Sequence, residues 1–292
     1  HHYRHYEGLR LLPSVCDSKL IQQTLSNMKI SIITVNYNDK TGLEKTFKSV
    51  IAQKCKAYEY IVVDGASKDG SINVIEKYRK YIDICISESD QGPFDAMNKG
   101  IGKASGDYCI FMNSGDSFYD ENVIDKFIHS NPKEDVLTGI SAEHMGNVIR
   151  ERKPSEESAF CLRWFYRHSL SHQSFFIKTE IMKRLMYDTD FRIVSDWLFF
   201  MIAFLKNNAT YRPLPFFVSN YMDGGISRDA EKAFKEREQA IEKYYGSRIL
   251  RDCHSMAYGL NEWDALAKKV DPNSKIGKII YLLTNFLLKF RK

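Results

Sequence analysis

Three aspartates occupy positions from which they could bind a charged ligand. Asp64, Asp90 and Asp116 each follow a short apolar run of the sequence. In an open parallel sheet, ligands bind beyond the carboxyl ends of the strands, so residues that follow such runs lie at the ligand-binding edge. A single aspartate after a strand is more often a turn residue or a helix N-cap. Three at successive strand ends are harder to explain in that way, and they indicate one acidic site.

The elements that position these residues follow from the spacing of apolar residues between 29 and 140. Short apolar runs alternate with segments of helical spacing, which is typical of parallel strands joined by crossover helices. Leu43, Phe47 and Val50 predict one such helix, and Ile72 and Ile75 predict another. The runs predicted as strands are Ile30–Val35, Tyr60–Val63, Ile82–Ile86, Tyr108–Met112 and Val136–Ile140.

The later part of the chain gives a coarser pattern. Residues 141–170 are polar and irregular, which predicts a loop-rich connection. The elements expected after it are a strand at Ser174–Ile177, a helix from Thr179, a helix over Ser195–Leu205, a strand near Tyr211–Val218 and a charged helix at about Arg228–Tyr245.

Composition narrows the class of protein. The 292 residues, 43% of them hydrophobic, can bury a full core, and we favour one α/β domain with an appendage. Six scattered cysteines without metal-ligand spacing are typical of a reduced, cytosolic protein. The sequence contains no run of roughly 18 apolar residues and no signal-peptide core. Residues 1–27 show no clear period and are expected to be a leader outside the fold.

The C-terminal tail concentrates the modest net charge of +5. Lys275, Lys278, Lys289, Arg291 and Lys292 frame the apolar residues between positions 276 and 288. A basic amphipathic tail favours an anionic membrane surface, so one interpretation is a cytoplasmic protein with peripheral contact at the inner face of the cell membrane. A helix packed on the core of the domain is the equal alternative. No nucleic acid partner is predicted.

Three sequence blocks surround the strand ends. They are KISIITVNYN at 29–38, YIVVDGASKDGS at 60–71 and SDQGPFDAMNKG at 89–100. In this order they resemble the first strand, the second-strand signature and a third motif of glycosyltransferase family 2, which has the GT-A fold. The third block is the most specific, because it keeps the D-x-G-x-x-D-A-x-N-x-G spacing of a subgroup that assembles bacterial surface polysaccharide and lipopolysaccharide.

The resemblance implies both a fold and a reaction. The fold is α/β, a mostly parallel sheet flanked by helices, with a C-terminal helical extension. A GT-A domain at 28–227 would contain a nucleotide-binding half (28–140) and an acceptor half (141–227), followed by the extension at 228–292. The reaction is transfer of a sugar, with inversion, from a nucleoside diphosphate donor, UDP by preference, to a glycan or lipid-linked acceptor hydroxyl.

The resemblance also assigns roles to individual residues. Asp196 matches the carboxylate that takes the proton of the acceptor hydroxyl, near the start of a helix and followed by Trp197. Its alternative is a first-turn aspartate behind an N-cap Ser195. Asp64 would hydrogen-bond the base or ribose. The residues assigned to nucleotide binding are Val35, Asn36, Tyr37, Asp64, Gly65, Asp90, Asp95, Lys99, Asn113 and Ser114.

One departure from the family pattern concerns the metal. Many relatives carry Asp-Ser-Asp-Asp after the fourth strand, whereas residues 113–116 are Asn-Ser-Gly-Asp. Asp116 would then be the principal carboxylate for Mg²⁺ or Mn²⁺, with Asn113 or Asp90 assisting. Mg²⁺ commonly uses one or two protein carboxylates plus phosphate oxygens, so one dominant carboxylate is adequate. His172 is a second candidate metal ligand, or a structural histidine.

Three further points stay open at this stage. Residues 223–227 (DGGIS) predict a flexible loop over the donor or a plain turn. A sugar nucleotidyltransferase would need a glycine-rich loop with a basic residue after the first strand, and residues 36–38 offer none. A catalytically silent nucleotide-binding scaffold is compatible with Asn113 and Gly115, although Asp196 and the third block argue against it.

Overall fold

The computed structural model describes residues 28–146, 148–170, 172–222, 229–255 and 274. The strands are β1 (Ile30–Asn36), β2 (Tyr58–Asp64), β3 (Ile84–Ser87), β4 (Tyr108–Phe111), β5 (Ser117–Phe118), β6 (Val136–Met145), β7 (Val148–Arg152), β8 (Phe175–Lys178) and β9 (Tyr211–Met222). The helices are α1 (Lys40–Ile51), α2 (Ser71–Tyr78), α3 (Pro93–Lys103), α4 (Val123–His129), α5 (Leu162–Arg167), α6 (Thr179–Leu185), α7 (Ser195–Leu205) and α8 (Ala230–Tyr245).

The strands form one sheet in the order β3-β2-β1-β4-β8-β6-β9-β5, with β7 paired to β6. β1 pairs in parallel with both β2 and β4, and β2 pairs in parallel with β3. β8 runs antiparallel to its neighbours β4 and β6, and β6 pairs in parallel with β9. The carboxyl ends of β1 to β4 therefore meet at one edge, next to the amino end of β8.

The structure confirms the α/β class, with helices between the parallel strands β1 to β4. The sheet as a whole is mixed and not mostly parallel, because β5, β7 and β8 pair antiparallel with their neighbours. Each strand predicted between residues 29 and 140 is present, with small shifts at its ends. The helices predicted after Thr179 and Ser195 are also present. α8 and residues 247–255 confirm helical structure after the last strand. None of the helices in the described ranges combines the length and the apolar character needed to cross a membrane.

The predicted loop-rich connection over residues 141–170 is wrong. β6 continues to Met145, and the chain returns as β7, which pairs antiparallel with it. Every residue of β7 is exposed, so the strand lacks the alternation of apolar and polar residues that reveals a half-buried strand. Main-chain pairing with β6 and the ion pair between Arg152 and Glu143, at 2.7 Å, hold it in place.

The chain divides into two compact units. The first contains the sheet, and the second contains Cys161–His168 together with the described residues from 229 onward. Within the second unit, Tyr166 packs edge to face against Phe234 with ring centroids 5.7 Å apart. α5 therefore groups with the C-terminal unit, although the sequence placed it in the acceptor half. Residues 1–27, 223–227 and 275–292 lie outside the described residues, and the expectations for them stay predictions.

α3 approaches the sheet closely because it carries a glycine at the contact. A Cβ on Gly100 would lie 2.5 Å from Ile33 Cγ2 and 3.5 Å from Val63 Cγ2. Gly102 lies in the same helix, and a Cβ there would meet no described atom within 4 Å. The last glycine of the third sequence block is thus a packing residue between α3 and β1.

We expect opposite effects when these two glycines are replaced by alanine. Gly100→Ala forces Ile33 or the helix to move, which should lower the free energy of unfolding by about 1–3 kcal/mol. Gly102→Ala adds a methyl group in open space and improves helix propensity, which should raise it by up to about 1 kcal/mol. Urea unfolding of both variants measures these changes in the free energy of unfolding. Equal changes in the two variants would contradict the close packing of Gly100 against β1.

Candidate active site

Asp64 joins the ends of three neighbouring strands. Its side chain is fully buried at the end of β2. Oδ1 accepts hydrogen bonds from Asn36 Nδ2 at 2.8 Å and Ser67 Oγ at 2.6 Å, and Oδ2 accepts from Ser67 N and Ser87 Oγ, each at 3.0 Å. These bonds occupy both oxygens. In the structure Asp64 thus positions the loops, and its predicted hydrogen bond to a base or ribose stays a prediction.

Tyr37, Gly65 and Asp90 lie against one another where these loops meet. A Cβ on Gly65 would lie 2.4 Å from Asp90 Oδ2 and 3.1 Å from Tyr37 Cδ2, so a larger residue would separate them. Tyr37 is 67% exposed, and an exposed aromatic ring offers a face on which a base can stack. The adjacent Oδ1 atom of Asn36 is a buried acceptor without a partner in the described part of the chain.

Asp95 and Lys99 bind the loop that carries Asp90. Asp95 Oδ2 accepts a hydrogen bond from Gln91 N at 3.0 Å. Lys99 Nζ donates to the carbonyl oxygen of Ser89 at 2.9 Å and also pairs with Glu88, which raises the pKa of Lys99. The structure gives both residues a part in ordering this loop. Their direct contact with a nucleotide stays a prediction.

α1 fixes the backbone of residues 113–116. Thr46 Oγ1 donates to the carbonyl oxygen of Asp116 at 2.6 Å and accepts from Gly115 N at 3.1 Å. Lys45 Nζ donates to the carbonyl oxygen of Gly115 at 2.8 Å. Gly115 has a φ of 94°, a left-handed conformation that favours glycine. The glycine that departs from the family pattern is thus suited to the turn that carries Asp116.

Asp39 has two functions that the sequence interpretation missed. Its Oδ1 accepts from Gly42 N at 2.9 Å and caps α1, and its Oδ2 accepts from Ser114 Oγ at 2.9 Å. The residue type and its place just before the helical spacing that starts at Leu43 are the signal of an N-cap. Its contact with Ser114 has no local signal, because the two residues are far apart in the sequence.

His172 lies between two residues from different parts of the chain. Its Nδ1 lies 2.9 Å from Asp196 Oδ2, and its Nε2 lies 3.1 Å from Asn113 Nδ2. When the amide of Asn113 donates to Nε2, the ring proton is on Nδ1 and is donated to Asp196. Burial lowers the pKa of His172, but the hydrogen bond to Asp196 and the charges of Asp196 and Asp116 outweigh burial and raise it.

Protonated His172 can keep both partners. The Nε2–H of the imidazolium would donate to Oδ1 of Asn113 after the amide turns over, and Oδ1 is a buried acceptor without a partner among the described residues. Both ring nitrogens are engaged in either state, so a metal ion would have to displace Asn113 to reach Nε2. The role of His172 as a metal ligand stays a prediction.

Asp116 is the carboxylate best suited to a cation. Burial raises its pKa to about 7, while the charges of His172 and Lys45 lower it. A dication beside this group favours its ionised form. No cluster of three or more His, Cys, Asp or Glu side chains able to hold a metal occurs in the described ranges. Asp116 and the Oδ1 atom of Asn113 therefore fit a cation that takes its other ligands from phosphate and water.

The buried helix α7 holds Asp196 at its first turn. Trp197, Phe199 and most other residues of α7 are buried, as expected for a helix that is apolar on all sides. Asp196 Oδ1 accepts from Trp197 N at 2.8 Å, and its side chain remains 19% exposed. The interpretation of Ser195 as N-cap is wrong, because Ser195 is the first helical residue and its hydroxyl makes no capping bond.

The structure thus brings the predicted residues into two adjoining groups. One contains Asn36, Tyr37, Asp64, Gly65 and Asp90, and the other contains Asn113, Asp116, His172 and Asp196. A hydrogen bond of 3.1 Å from Ser114 N to the carbonyl oxygen of Val35 joins them.

An open cleft of about 540 Å³ lies on the α1 side of residues 113–116. Neither His172 nor Asp196 lines it, so the cleft and the groups suited to chemistry do not coincide. We place the site at the second group, because the carboxylates of Asp116 and Asp196 and the imidazole of His172 lie together there. The cleft is lined by Thr41, Glu44, Lys45, Lys48, Ser49, Ser117 and Phe118.

Replacing Asp116 by asparagine should change how stability depends on pH. The pKa of Asp116 is about 7 in the folded chain, and a carboxyl in an unfolded chain titrates near roughly 4. Between these values only the folded state holds the proton, so the parent loses stability as the pH rises. In metal-free buffer, Asp116→Asn should exceed the parent in stability at pH 8 and match it at pH 4. Thermal unfolding at both pH values measures the difference.

Asp120 is the matched control for this experiment. Burial raises its pKa, but hydrogen bonds from Lys126 and the backbone of Asn122 outweigh burial and lower it. Asp120→Asn should therefore lose stability at pH 8. The same loss in Asp116→Asn would show that the Asp116 carboxylate is already well solvated or paired, against the assignment.

Comparisons with known proteins point to one family. The family model described as Glycosyl transferase family 2 matches residues 31–207. An uncharacterized glycosyltransferase of Mycobacterium tuberculosis is 33% identical over 184 residues, which cover 60% of this chain and 69% of the relative. A PGL/p-HBAD biosynthesis glycosyltransferase of Mycobacterium bovis is 26% identical over 217 residues, which cover 71% of this chain and 82% of the relative.

A solved structure shares the fold. The crystal structure of S. aureus TarS residues 1–349 in complex with UDP-GlcNAc matches with a TM-score of 0.60 and 19% sequence identity. The match covers 84% of this chain and 76% of that chain. At this identity the likeness shows the arrangement of helices and strands.

Proposed function

The chain belongs to glycosyl transferase family 2 and is a glycosyltransferase of the GT-A fold, and from this premise we propose an inverting sugar transfer in which Asp196 is the general base. The donor is a nucleoside diphosphate sugar, and the nucleophile is an acceptor hydroxyl. Family membership favours this reaction over a sugar nucleotidyltransferase or a silent scaffold. The observation that carries the proposal is the bond between Asp196 and His172, in the same cluster as Asp116.

Direct displacement at the anomeric carbon requires a carboxylate to take the proton of the attacking hydroxyl. Asp196 is a partly exposed carboxylate, and the buried helix α7 fixes the position of its backbone. The Nδ1–H of His172 orients Oδ2, and the backbone N–H of Trp197 orients Oδ1. An acceptor hydroxyl would approach the carboxylate by displacing one of these two hydrogen bonds, which a rotation of the Asp196 side chain allows.

The leaving diphosphate is assigned to the other end of the cluster. Asp116 and Asn113 would hold Mg²⁺ or Mn²⁺. The ion, when bound, neutralises the charge that develops on the leaving group. Asn113 touches His172, which touches Asp196, so the residues proposed for the leaving group and for the base are joined by two hydrogen bonds.

The nucleotide is assigned to the first group of residues. The loops after β1, β2 and β3 meet at Asn36, Tyr37, Gly65 and Asp90. Hydrogen bonds to the buried Asp64 carboxylate hold these loops together. UDP is the proposed nucleotide, supported by the shared fold with the UDP-GlcNAc complex of TarS. Release of nucleoside diphosphate from UDP-, GDP- and dTDP-sugars, each with Mg²⁺ or Mn²⁺, tests this choice.

The proposed acceptor is a hydroxyl of a glycan or lipid-linked precursor of a bacterial surface polysaccharide or lipopolysaccharide. The spacing of the third sequence block supports this, as does the relative named for PGL/p-HBAD biosynthesis. Catalysis at the cytoplasmic side of the membrane, with the basic tail on anionic lipid, stays a prediction. Octyl glycosides are simple acceptors with which a screen can begin.

Asp196→Asn should bind donor and metal like the parent but transfer sugar more slowly by about 10²–10⁴, since asparagine cannot accept the proton. Calorimetry measures binding of UDP with Mn²⁺, and release of UDP in the presence of acceptor measures transfer. Anomeric proton signals in the NMR spectrum should show a product of opposite configuration to the donor.

Asp125→Asn is the matched control, because Asp125 also lies in the first turn of a helix and its side chain is exposed. Any effect of the charge on the helix dipole is common to both variants, whereas proton transfer depends on Asp196. Transfer by Asp196→Asn at a rate close to that of Asp125→Asn would exclude Asp196 as the base.

A further inference from the structure

Tyr187 buries a hydroxyl that has no hydrogen-bond partner among the described residues. The residue is 3% exposed. A buried polar group without a partner lowers stability, and native proteins keep few of them. Because this hydroxyl does not stabilise the fold, we examined which functional residues lie around it.

Three aromatic rings from separate elements fix the ring of Tyr187. They are Phe94 of α3, Phe111 at the end of β4 and Phe199 of α7, with centroids 5.3, 5.9 and 5.4 Å from that of Tyr187. Phe199 lies about one helical turn after Asp196 on α7. The phenol is thus held rigidly between the strand end that leads to Asn113 and the helix that carries the proposed base.

The backbone of Tyr187 is held as firmly as its ring. Asn98 Nδ2 donates to the carbonyl oxygen of Tyr187, and Asn98 Oδ1 accepts from its N–H, both at 2.8 Å. Asn98 is the asparagine of the third sequence block. The side chain of Asn98 therefore contacts Tyr187 and fixes its backbone, although the two residues are 89 positions apart in the sequence.

The ring of Tyr187 packs against the face of α7 that carries Asp196, because Phe199 follows Asp196 by three residues on this helix. Burial raises the pKa of Tyr187 well above its usual value, and the negative charges of Asp196 and Cys109 add to this effect. The phenol is therefore protonated at neutral pH, and its O–H is a hydrogen-bond donor. It lies on the side of α7 that carries Asp196, whose two carboxylate oxygens are bonded to His172 and Trp197.

We propose that Tyr187 is a positioning residue for Asp196, and that its O–H donates to the carboxylate when an acceptor hydroxyl displaces one of the present bonds. This inference rests on the proposed role of Asp196 as the base. An incoming hydroxyl needs a free lone pair on the carboxylate in the right direction, so the side chain must turn. A rigid donor beside it supports the turned position and stabilises the ionised form that accepts the proton. Bonds of this kind are commonly long in the free enzyme and shorten in the complex with substrate.

Tyr187→Phe tests the proposal, because it removes one hydroxyl and leaves the ring packing in place. We expect kcat to fall about 10- to 100-fold, the loss typical of one hydrogen bond to a charged group, with the donor KM unchanged. The melting temperature should equal or exceed that of the parent, since the variant no longer buries an unpaired group. The assay is UDP release with the donor and octyl glycoside chosen in the screen above.

Tyr60→Phe is the matched control. Tyr60 is also fully buried, but its hydroxyl bonds to Thr34 Oγ1 at 2.9 Å. Thr34 donates its own proton to the carbonyl oxygen of Met112, so Tyr60 is the donor in this pair. Tyr60→Phe should lower the melting temperature and leave kcat unchanged. The same result for Tyr187→Phe would overturn the proposal, because it would show a structural role.

A double variant separates failure of this inference from failure of the proposed function. If Tyr187 acts through Asp196, Tyr187→Phe should change the residual rate of Asp196→Asn less than twofold. A full 10- to 100-fold loss in that background would overturn the inference. If Asp196→Asn alone retains parental transfer, the proposed base is wrong. If Asp196→Asn loses transfer activity and Tyr187→Phe does not, Asp196 is still supported as the base, and only the positioning role of Tyr187 is contradicted.

Discussion

The hydrogen bonds of the buried Asp64 carboxylate are the interactions on which the loops after β1, β2 and β3 depend. Removing a carboxylate from water costs several kcal/mol unless the protein supplies hydrogen bonds to its oxygens. Asn36, Ser67 and Ser87 supply them here from the ends of three strands. The carboxylate thereby fixes the relative positions of these loops, and the close contact of Gly65 with Tyr37 and Asp90 follows from that arrangement.

The cluster of Asn113, His172 and Asp196 depends on the direction of one strand pair. β8 runs antiparallel to β4, so the residues that follow β4 lie next to those that precede β8. Asn113 follows β4 and His172 precedes β8, which explains their hydrogen bond. The aromatic core around α7 then brings Asp196 within 2.9 Å of the same imidazole. The polar cluster of Asn113, His172 and Asp196 is thus built on largely buried elements.

Much of the third sequence block serves the framework of this site. Gly100 brings α3 close to β1, Asp95 and Lys99 order the loop of Asp90, and Asn98 fixes Tyr187. Specific spacing in a motif therefore does not imply that each residue touches a ligand. The block thereby helps to fix the positions of both Asp90 and Tyr187.

The sequence by itself determined the α/β class, the strands of the first half and the residues at their carboxyl ends, because apolar periodicity and turn residues are local signals. It predicted neither β5, which is only two residues long, nor β7, whose side chains are all exposed. Asp64 was correctly placed at a strand end, but only the tertiary structure showed that its oxygens are saturated. The same holds for Asn98 with Tyr187 and His172 with Asn113, pairs separated by 89 and 59 positions. Contacts at such separations arise from strand order and helix packing, so the folded chain decided them.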